Sequence, residues 1–366
     1  MRHLLVTGGC GFIGSNFIRY LLEHRPDLCI TNLDSLTYAG NPMNLADCRD
    51  HPRYRFVFGD ICEGELLRAL FRDRPIDAVI HFAAESHVDR SIDDPSVFIR
   101  TNVNGTAALL DAAVHAWSSD GESGRRRFVH VSTDEVFGSL GATGYFREET
   151  PYAPRSPYAA SKAASDHLAR AYYHTYGLPV VVTNCSNNYG PRQFPEKLIP
   201  LMIQHAISGR SLPVYGDGLN VRDWLFVTDH CRALLTVWEK AAAGAHYNIG
   251  GQCEKTNIEM VRTLCDLLDE SMGVLPGGRS RRSLIRFVQD RPGHDRRYAI
   301  DAGKIQKELG WSPSVSFEEG MRATVRWYLE HPEWTRAVVD GSYRRGIGEA
   351  GTDVRIAGLS DRGQSP

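Results

Sequence analysis

Thr133, Asp134 and Glu135 stand together in the stretch Val131-Ser132-Thr133-Asp134-Glu135-Val136-Phe137-Gly138, and Tyr158 and Lys162 follow in Tyr158-Ala159-Ala160-Ser161-Lys162. The four-residue spacing of the last two puts a phenol and an ammonium on one helical face. A nearby cation favours the phenolate and lowers a pKa that is about 10 when unperturbed. Such a tyrosine takes a proton from an alcohol near neutral pH, and the carbinol then gives up a hydride more readily. Thr133, on a preceding strand, can hydrogen-bond the same oxygen. Asp134 and Glu135 are surplus to a plain oxidation. Adjacent carboxylates with unequal burial have pKa values pushed apart, so one can donate a proton to a leaving hydroxyl while the other removes a carbon-bound proton beside a new carbonyl. Elimination of water is the chemistry that pair suggests. In isolation, Tyr-x-x-x-Lys is a common surface pair and Asp-Glu a solvated turn or a helix cap; the surrounding elements decide.

A hydride acceptor has to reach that tyrosine, and the amino terminus carries a turn suited to one. Thr7-Gly8-Gly9-Cys10-Gly11-Phe12-Ile13-Gly14 follows a short apolar run and opens a helical one. Gly8, Gly11 and Gly14 let the backbone turn tightly beside a pyrophosphate, whose charge is met by free amides and the positive end of the helix dipole. Asp34 closes the second apolar run, where a carboxylate accepts from ribose hydroxyls and repels a 2'-phosphate, which argues for NAD over NADP. Asp60-Ile61 offers an acid to an adenine amine, and Phe82-Ala83-Ala84 lets the backbone lie close to a dinucleotide, although small residues there are equally consistent with core packing. The glycine spacing resembles the short-chain dehydrogenase superfamily in its extended branch.

The elements that would position these groups alternate between strand and helix. Apolar runs at 4–7, 29–33, 55–58, 78–82, 128–132 and 180–185 read as strands, and 12–23 and 97–117 as helices. A further helix begins near Tyr158, with Ser156 as cap, Pro157 at its first position and Gly177 to close it. This predicts an α/β chain with a doubly wound parallel sheet, plus a smaller mixed α/β substrate domain. The expected division is 1–190 for the dinucleotide domain, with segments near 223–252 and 312–330 returning to it, 191–340 for the second domain, and 341–366 as a flexible tail rich in Gly, Arg and Ser.

Composition excludes several classes. The 366 residues are 42% hydrophobic and 23% charged with a net charge of -2, which gives no electrostatic case for nucleic acid or a membrane surface. Local runs such as 125–127 read as solvated loop. Eight cysteines without a Cys-x-x-Cys pair suggest neither a zinc site nor a disulfide scaffold and suit a reducing cytosol. No signal peptide or membrane-length apolar run is apparent, so a cytoplasmic location is expected.

Seven stretches carry a wider resemblance: 36–41 (LTYAGN), 83–91 (AAESHVDRS), 132–136 (STDEV), 186–191 (SNNYGP), 196–200 (EKLIP), 221–224 (VRDW) and 290–298 (DRPGHDRRY). Together they identify the chain as resembling the dTDP-glucose 4,6-dehydratases, over residues 1 to about 335. The family usually has tyrosine where Phe137 stands. The resemblance implies that Tyr158, with Lys162 and Thr133, deprotonates the glucose 4-hydroxyl, that Glu135 takes the carbon-5 proton, and that Asp134 protonates the departing 6-hydroxyl. NAD would be recycled, with further contacts from Ser35, Leu36, Thr37, Ser86, Thr101 and Asn188. Sugar-nucleotide contacts are implied at Ser86, Thr133, Asn187, Lys197 and Leu198, at Pro213, Val214, Tyr215 and Asn257, and at Asp290, His294 and Tyr298. Arg222 is the expected phosphate ligand, since a guanidinium meets two oxygens at once. No metal is expected. Apolar residues on more than one face of 97–117, Ile99 and Leu109 beside Val103 and Leu110, suggest a homodimer through a four-helix contact, the alternative being a wide core-facing stripe. A nucleotide-sugar 4-epimerase, or a dehydratase acting on a UDP- or GDP-sugar, is the competing enzyme reading; a non-catalytic NAD-binding sensor is a third.

Overall fold

The computed structural model describes residues 1–118, 126–290 and 293–344. In chain order, β1 (Arg2–Thr7), α1 (Phe12–His24), β2 (Leu28–Asp34), β3 (Tyr54–Phe58), α2 (Gly64–Asp73) and β4 (Ala78–His81) come first. The short α3 (Val88–Asp93) and α4 (Ser96–Phe98) lead through a π-helical turn, Ile99–Gly105, into α5 (Thr106–Trp117). Next come β5 (Arg127–Thr133), α6 (Pro157–Tyr176) and β6 (Val180–Cys185). Beyond them lie β7 (Asn187–Tyr189), α7 (Leu198–Ile207), β8 (Leu212–Tyr215), β9 (Val221–Phe226), α8 (Val227–Lys240), β10 (His246–Ile249) and β11 (Glu254–Thr256). The chain continues with α9 (Asn257–Met272), β12 (Ile285–Val288), α10 (Gly303–Leu309), α11 (Phe317–Glu330) and α12 (Pro332–Val339).

Seven parallel strands form the main sheet in the order β10-β6-β5-β4-β1-β2-β3. The sheet is covered on both faces, as a parallel sheet must be. Along β1, Leu4 and Val6 point into the core shared with α1, α8 and α10, while Leu5 points into the core shared with α2, α5 and α6. Strand order reverses between β1 and β4, the place where doubly wound sheets open a crevice at their carboxyl ends. A second core joins α7, α9, α11 and α12 around Met202, Met260, Val325 and Trp334, next to the small sheet β11-β9-β7.

Several expectations are corrected. The helix expected over 97–117 is present, running through α4, the π turn and α5 without a break, but Leu109 and Leu110 are both core residues, and only Val97 and Ile99 of that stretch are large, apolar and exposed. Segment 227–249 does join the first sheet, through α8 and β10. Segment 312–330 does not: Met321, Val325 and Tyr328 of α11 pack in the second core, and the return is made by α10 and Trp311. Of the flexible tail expected from 341, the described residues 341–344 are held in place: Tyr343 is buried and its hydroxyl donates to the Tyr38 carbonyl at 2.5 Å. Residues beyond 344, the loop at 119–125, and 291–292 lie outside the described residues.

Candidate active site

The glycine turn is a matter of clearance. Gly8 has φ +71°, and a Cβ there would fall 2.6 Å from the Ala83 amide nitrogen; a Cβ on Gly14 would fall 2.4 Å from the Gly8 carbonyl oxygen. Only glycine lets the first turn of α1, the β1 turn and Ala83 meet. Gly11 at the helix start offers no side-chain cap, so the leading amides of α1 face the crevice without an acceptor from their own helix terminus. Asp34, at the end of β2, takes the Cys10 N–H on one oxygen and the Leu36 N–H on the other, each at 2.8 Å. Burial pushes its carboxyl up, against those two hydrogen bonds. Asp60 accepts from the Cys62 amide at 2.9 Å and from Arg100 at 2.7 Å, so the acid expected to meet an adenine amine is already ion-paired.

One cavity of about 310 Å³ runs along the carboxyl ends of these strands. It brings together Gly8, Gly11, Phe12, Ile13 and Gly14 with Asp34, Ser35 and Thr37. Asp60, Ile61, Phe82, Ala83, Ala84, Ser86 and Thr101 continue its wall, and Thr133, Asp134, Glu135, Tyr158 and Lys162 line the other end with Asn187, Asn188 and Lys197. Leu36 is not on the wall: it has φ +49° and its side chain is in the first core. Sequence reasoning missed Tyr38, Glu85, Gln193, Phe194 and Glu196 as lining residues. All but Gln193 and Phe194 fall within quoted family stretches, which was the available signal.

At the reacting end, β5 delivers Thr133, whose hydroxyl accepts the Glu135 N–H at 3.3 Å and caps the 3-10 turn Asp134–Phe137. That cap holds both carboxylates at the strand end. Asp134 is almost wholly buried, and its Oδ2 has no hydrogen-bond partner. Burial first, then the negative charges of Glu135 and Asp223, push its carboxyl well above the usual range, against a smaller pull from Arg222. Glu135 is half-buried. The pair is therefore unequal in burial, as elimination chemistry asks.

On α6, Ser156 caps by accepting the Ala159 N–H at 3.1 Å, Pro157 holds the first position, and Gly177 closes the helix at φ +69°. Tyr158 and Lys162 are buried one turn apart. The phenol stands above, not below, its ordinary value here. Burial, then Glu135, push Tyr158 well above its ordinary value, while the Thr133 hydroxyl opposes them. Lys162 Nζ instead donates to the Val131 carbonyl at 2.9 Å, and burial pulls its own pKa down.

The remaining expected residues do not line that cavity. Arg222 is buried, donates to the Asp295 carbonyl at 3.0 Å and lies 4.3 Å over the Tyr298 ring. Tyr215 and His294 meet edge to face at 6.2 Å, and His294 is held by Asp290 at 2.6 Å. Pro213 and Tyr215 share β8 with Val214, but Val214 is a core residue, and Leu198 packs against that same core. Asn257 is the first residue of α9, behind the capping box formed by Thr256 and Glu259. Phe137 lies in an apolar cluster, stacked 5.2 Å from Phe146, and does not line the cavity. Among the described residues no cluster of His, Cys, Asp and Glu could hold a metal ion.

A doubly wound sheet, a glycine turn beside a strand-end acid and a tyrosine–lysine pair define an extended short-chain dehydrogenase/reductase, and the two acids set it apart from a plain oxidoreductase. Residues 5–324 match the family model for GDP-mannose 4,6 dehydratase. A dTDP-glucose 4,6-dehydratase of Xanthomonas campestris pv. campestris (strain B100) is 57% identical over 94% of this chain and 98% of its own. The structure of DesIV, the dTDP-glucose 4,6-dehydratase from Streptomyces venezuelae, with NAD and TYD bound, superposes at TM-score 0.83 with 52% identity, covering 91% of this chain and 98% of that one. That of dTDP-glucose 4,6-dehydratase from Bacillus anthracis str. Ames, in complex with NAD, does so at 0.82 with 49% identity, covering 92% and 100%. The chain belongs to the dTDP-glucose 4,6-dehydratases, within the wider 4,6-dehydratase family.

Proposed function

We propose that this protein is an NAD-dependent hydro-lyase that converts dTDP-glucose to dTDP-4-keto-6-deoxyglucose. The observation that carries the reading is the unlike pair: a fully buried Asp134 held above the usual carboxylate range beside a half-buried Glu135, on the same cavity as Tyr158 and Lys162. The glycine clearance at Gly8 and Gly14, the uncapped start of α1 and the buried Asp34 fit a dinucleotide. When bound, NAD supplies a hydride acceptor for carbon 4 and a donor for carbon 6, and ends as it began.

Tyr158 takes the proton of the 4-hydroxyl, with the Thr133 hydroxyl on the same oxygen. The carbonyl at carbon 4 acidifies the proton on carbon 5, and Glu135 removes it. Asp134, its carboxyl held above the usual range, passes a proton to the departing 6-hydroxyl, so water leaves; as carbon 6 is reduced, Glu135 returns a proton to carbon 5, and the proton taken up by Tyr158 balances the one Asp134 gave. Asn187 and Lys197 reach the sugar-side wall of the cavity, and Arg222, Tyr298, Tyr215, Asp290 and His294 are proposed for the nucleotide end. The first core with its sheet is proposed as the cofactor domain and the second as the substrate domain. Val97 and Ile99, exposed beside Ile92, are the apolar surface proposed for a homodimer. No described helix is long and apolar enough to cross a membrane, and a cytoplasmic location is proposed.

Incubation of the NAD-loaded protein with dTDP-glucose in deuterium oxide tests the reading. A 4-keto-6-deoxy product labelled at carbon 5 is expected. Binding without entry of solvent hydrogen into the hexose would overturn it.

A further inference from the structure

Behind Lys162 the protein buries a carboxylate that the steps above do not use. Asp166 follows Lys162 by one turn of α6, and its side chain is wholly out of solvent. Its Oδ1 accepts from His130 Nε2 at 3.0 Å; its Oδ2 accepts from the Tyr152 hydroxyl at 2.8 Å and from Asn184 Nδ2 at 3.3 Å. Tyr152 in turn accepts from Arg170 at 3.1 Å. A carboxylate this deep stays ionised only when it is hydrogen-bonded and opposed by a cation. Burial pushes Asp166 up, but the hydrogen bond from His130 and the charge of Lys162 outweigh it and hold the carboxyl below its ordinary value.

The cation can be identified by taking each group in turn. Facing or influencing Lys162 are His130 on β5, Cys185 on β6, His81 on β4, and Tyr158 and Asp166 on α6 itself. Burial holds both histidines below their usual values and pushes Cys185 up to about 12, so these three are neutral at physiological pH, and Tyr158 is in no state a cation. Asp166 is the anion of the set and Lys162 its cation. The same carboxylate also reaches the strand end, because Asn184 Nδ2 donates to the Thr133 carbonyl at 2.8 Å as well.

We propose that Asp166 is a positioning residue for the first proton transfer: it keeps Lys162 an ammonium on the Tyr158 face of α6 and, through Asn184, holds Thr133 at the end of β5. This rests on the dehydratase reading, and the test separates the two. In a Glu135→Gln background the NAD-loaded full chain should reduce its cofactor with dTDP-glucose and stop there. The rate of that reduction, followed by the absorbance of reduced nicotinamide, reports the step before Asp134 and Glu135 act. If Glu135→Gln shows no such reduction, both the reading and the inference fall.

Adding Asp166→Asn is expected to slow the reduction about tenfold and to move its alkaline limb down by about one pH unit, because an ammonium without its counter-charge loses its proton earlier. The concentration of dTDP-glucose for half-maximal rate should change little. Asp166→Glu, which keeps the charge, should restore the limb. An unmoved limb in Asp166→Asn overturns the inference even if the rate falls, since a purely structural loss would not titrate. Should Asp166→Asn fail to fold, Tyr152→Phe is read instead. It strips one donor from Asp166 and leaves its charge less compensated, so the limb should rise; a limb that stays or falls overturns the inference.

Discussion

Asp134 sits in an environment that disfavours its charged form, and that has a thermodynamic sign. Its folded pKa lies above the unfolded value of about 3.9. A carboxyl shifted in that direction adds stability below the unfolded pKa and loses it as pH rises through the folded one, where the fold must hold a buried charge. Asp134→Asn removes that titration. Its melting temperature should therefore gain on the parent as pH is raised from about 5 to about 9, while turnover falls about a hundredfold or more for want of the acid. A melting-temperature difference that is the same at both ends of the range would show that Asp134 is not buried in its neutral form. Lys162→Met addresses the other end of the site. With Tyr158 held high by burial and by Glu135, the lysine is needed to make a phenolate reachable, and the loss should fall on the oxidation itself. Single-turnover cofactor reduction should drop about a hundredfold, and reduction at the parent rate would remove Lys162 from the proton transfer.

Among the elements, the π turn Ile99–Gly105 has the clearest link to the site. The extra residue in the turn points Asn102 inward, where its Oδ1 takes the Glu85 N–H at 2.8 Å and its Nδ2 donates to the Glu85 carbonyl at 3.0 Å and to Ser161 at 2.9 Å. One amide thus pins the loop after β4, which lines the cavity, to α6, which carries Tyr158 and Lys162. Asn102→Ala leaves the buried Glu85 amide and carbonyl without these partners, a cost of about 2 kcal/mol. Urea denaturation with an unchanged slope should show that loss in the midpoint; a change under about 0.5 kcal/mol would mean the loop is held elsewhere. The turn was not legible in the sequence. Val103, Ala107, Leu110, Val114 and Trp117 fall on one face of an ideal helix, and a single wide turn upstream leaves that pattern intact. The caps of α6 were legible because Ser156, Pro157 and Gly177 each act through local backbone geometry.

At the scale of the whole molecule, the same division between local and distant information explains what the sequence shows of the fold and where it stops. The parallel strands are short apolar runs, so their existence and the glycine turn after the first can be read directly. Which core an amphipathic helix joins is a long-range fact, and α11 went to the second core rather than the first for that reason. Arg222 over Tyr298, and Tyr215 against His294, are likewise pairings of distant segments that spacing does not reveal. The surface carries the same lesson. Leu109 is a core residue, yet Ile92, Val97 and Ile99 lie exposed within one short stretch of α3, α4 and the π turn, the surface proposed above for a homodimer. A second copy related by two-fold symmetry would cover these residues, since the same stretch would then meet itself or its neighbour α6. Light scattering at micromolar concentration should give a mass twice the 40.8 kDa of the chain. The double variant Val97→Asp, Ile99→Asp places charges in that contact and should reduce the mass to a single chain, with far-ultraviolet circular dichroism unchanged. A parent protein that scatters as one chain, or a double variant that still scatters as two, would mean that this patch is not where the copies meet.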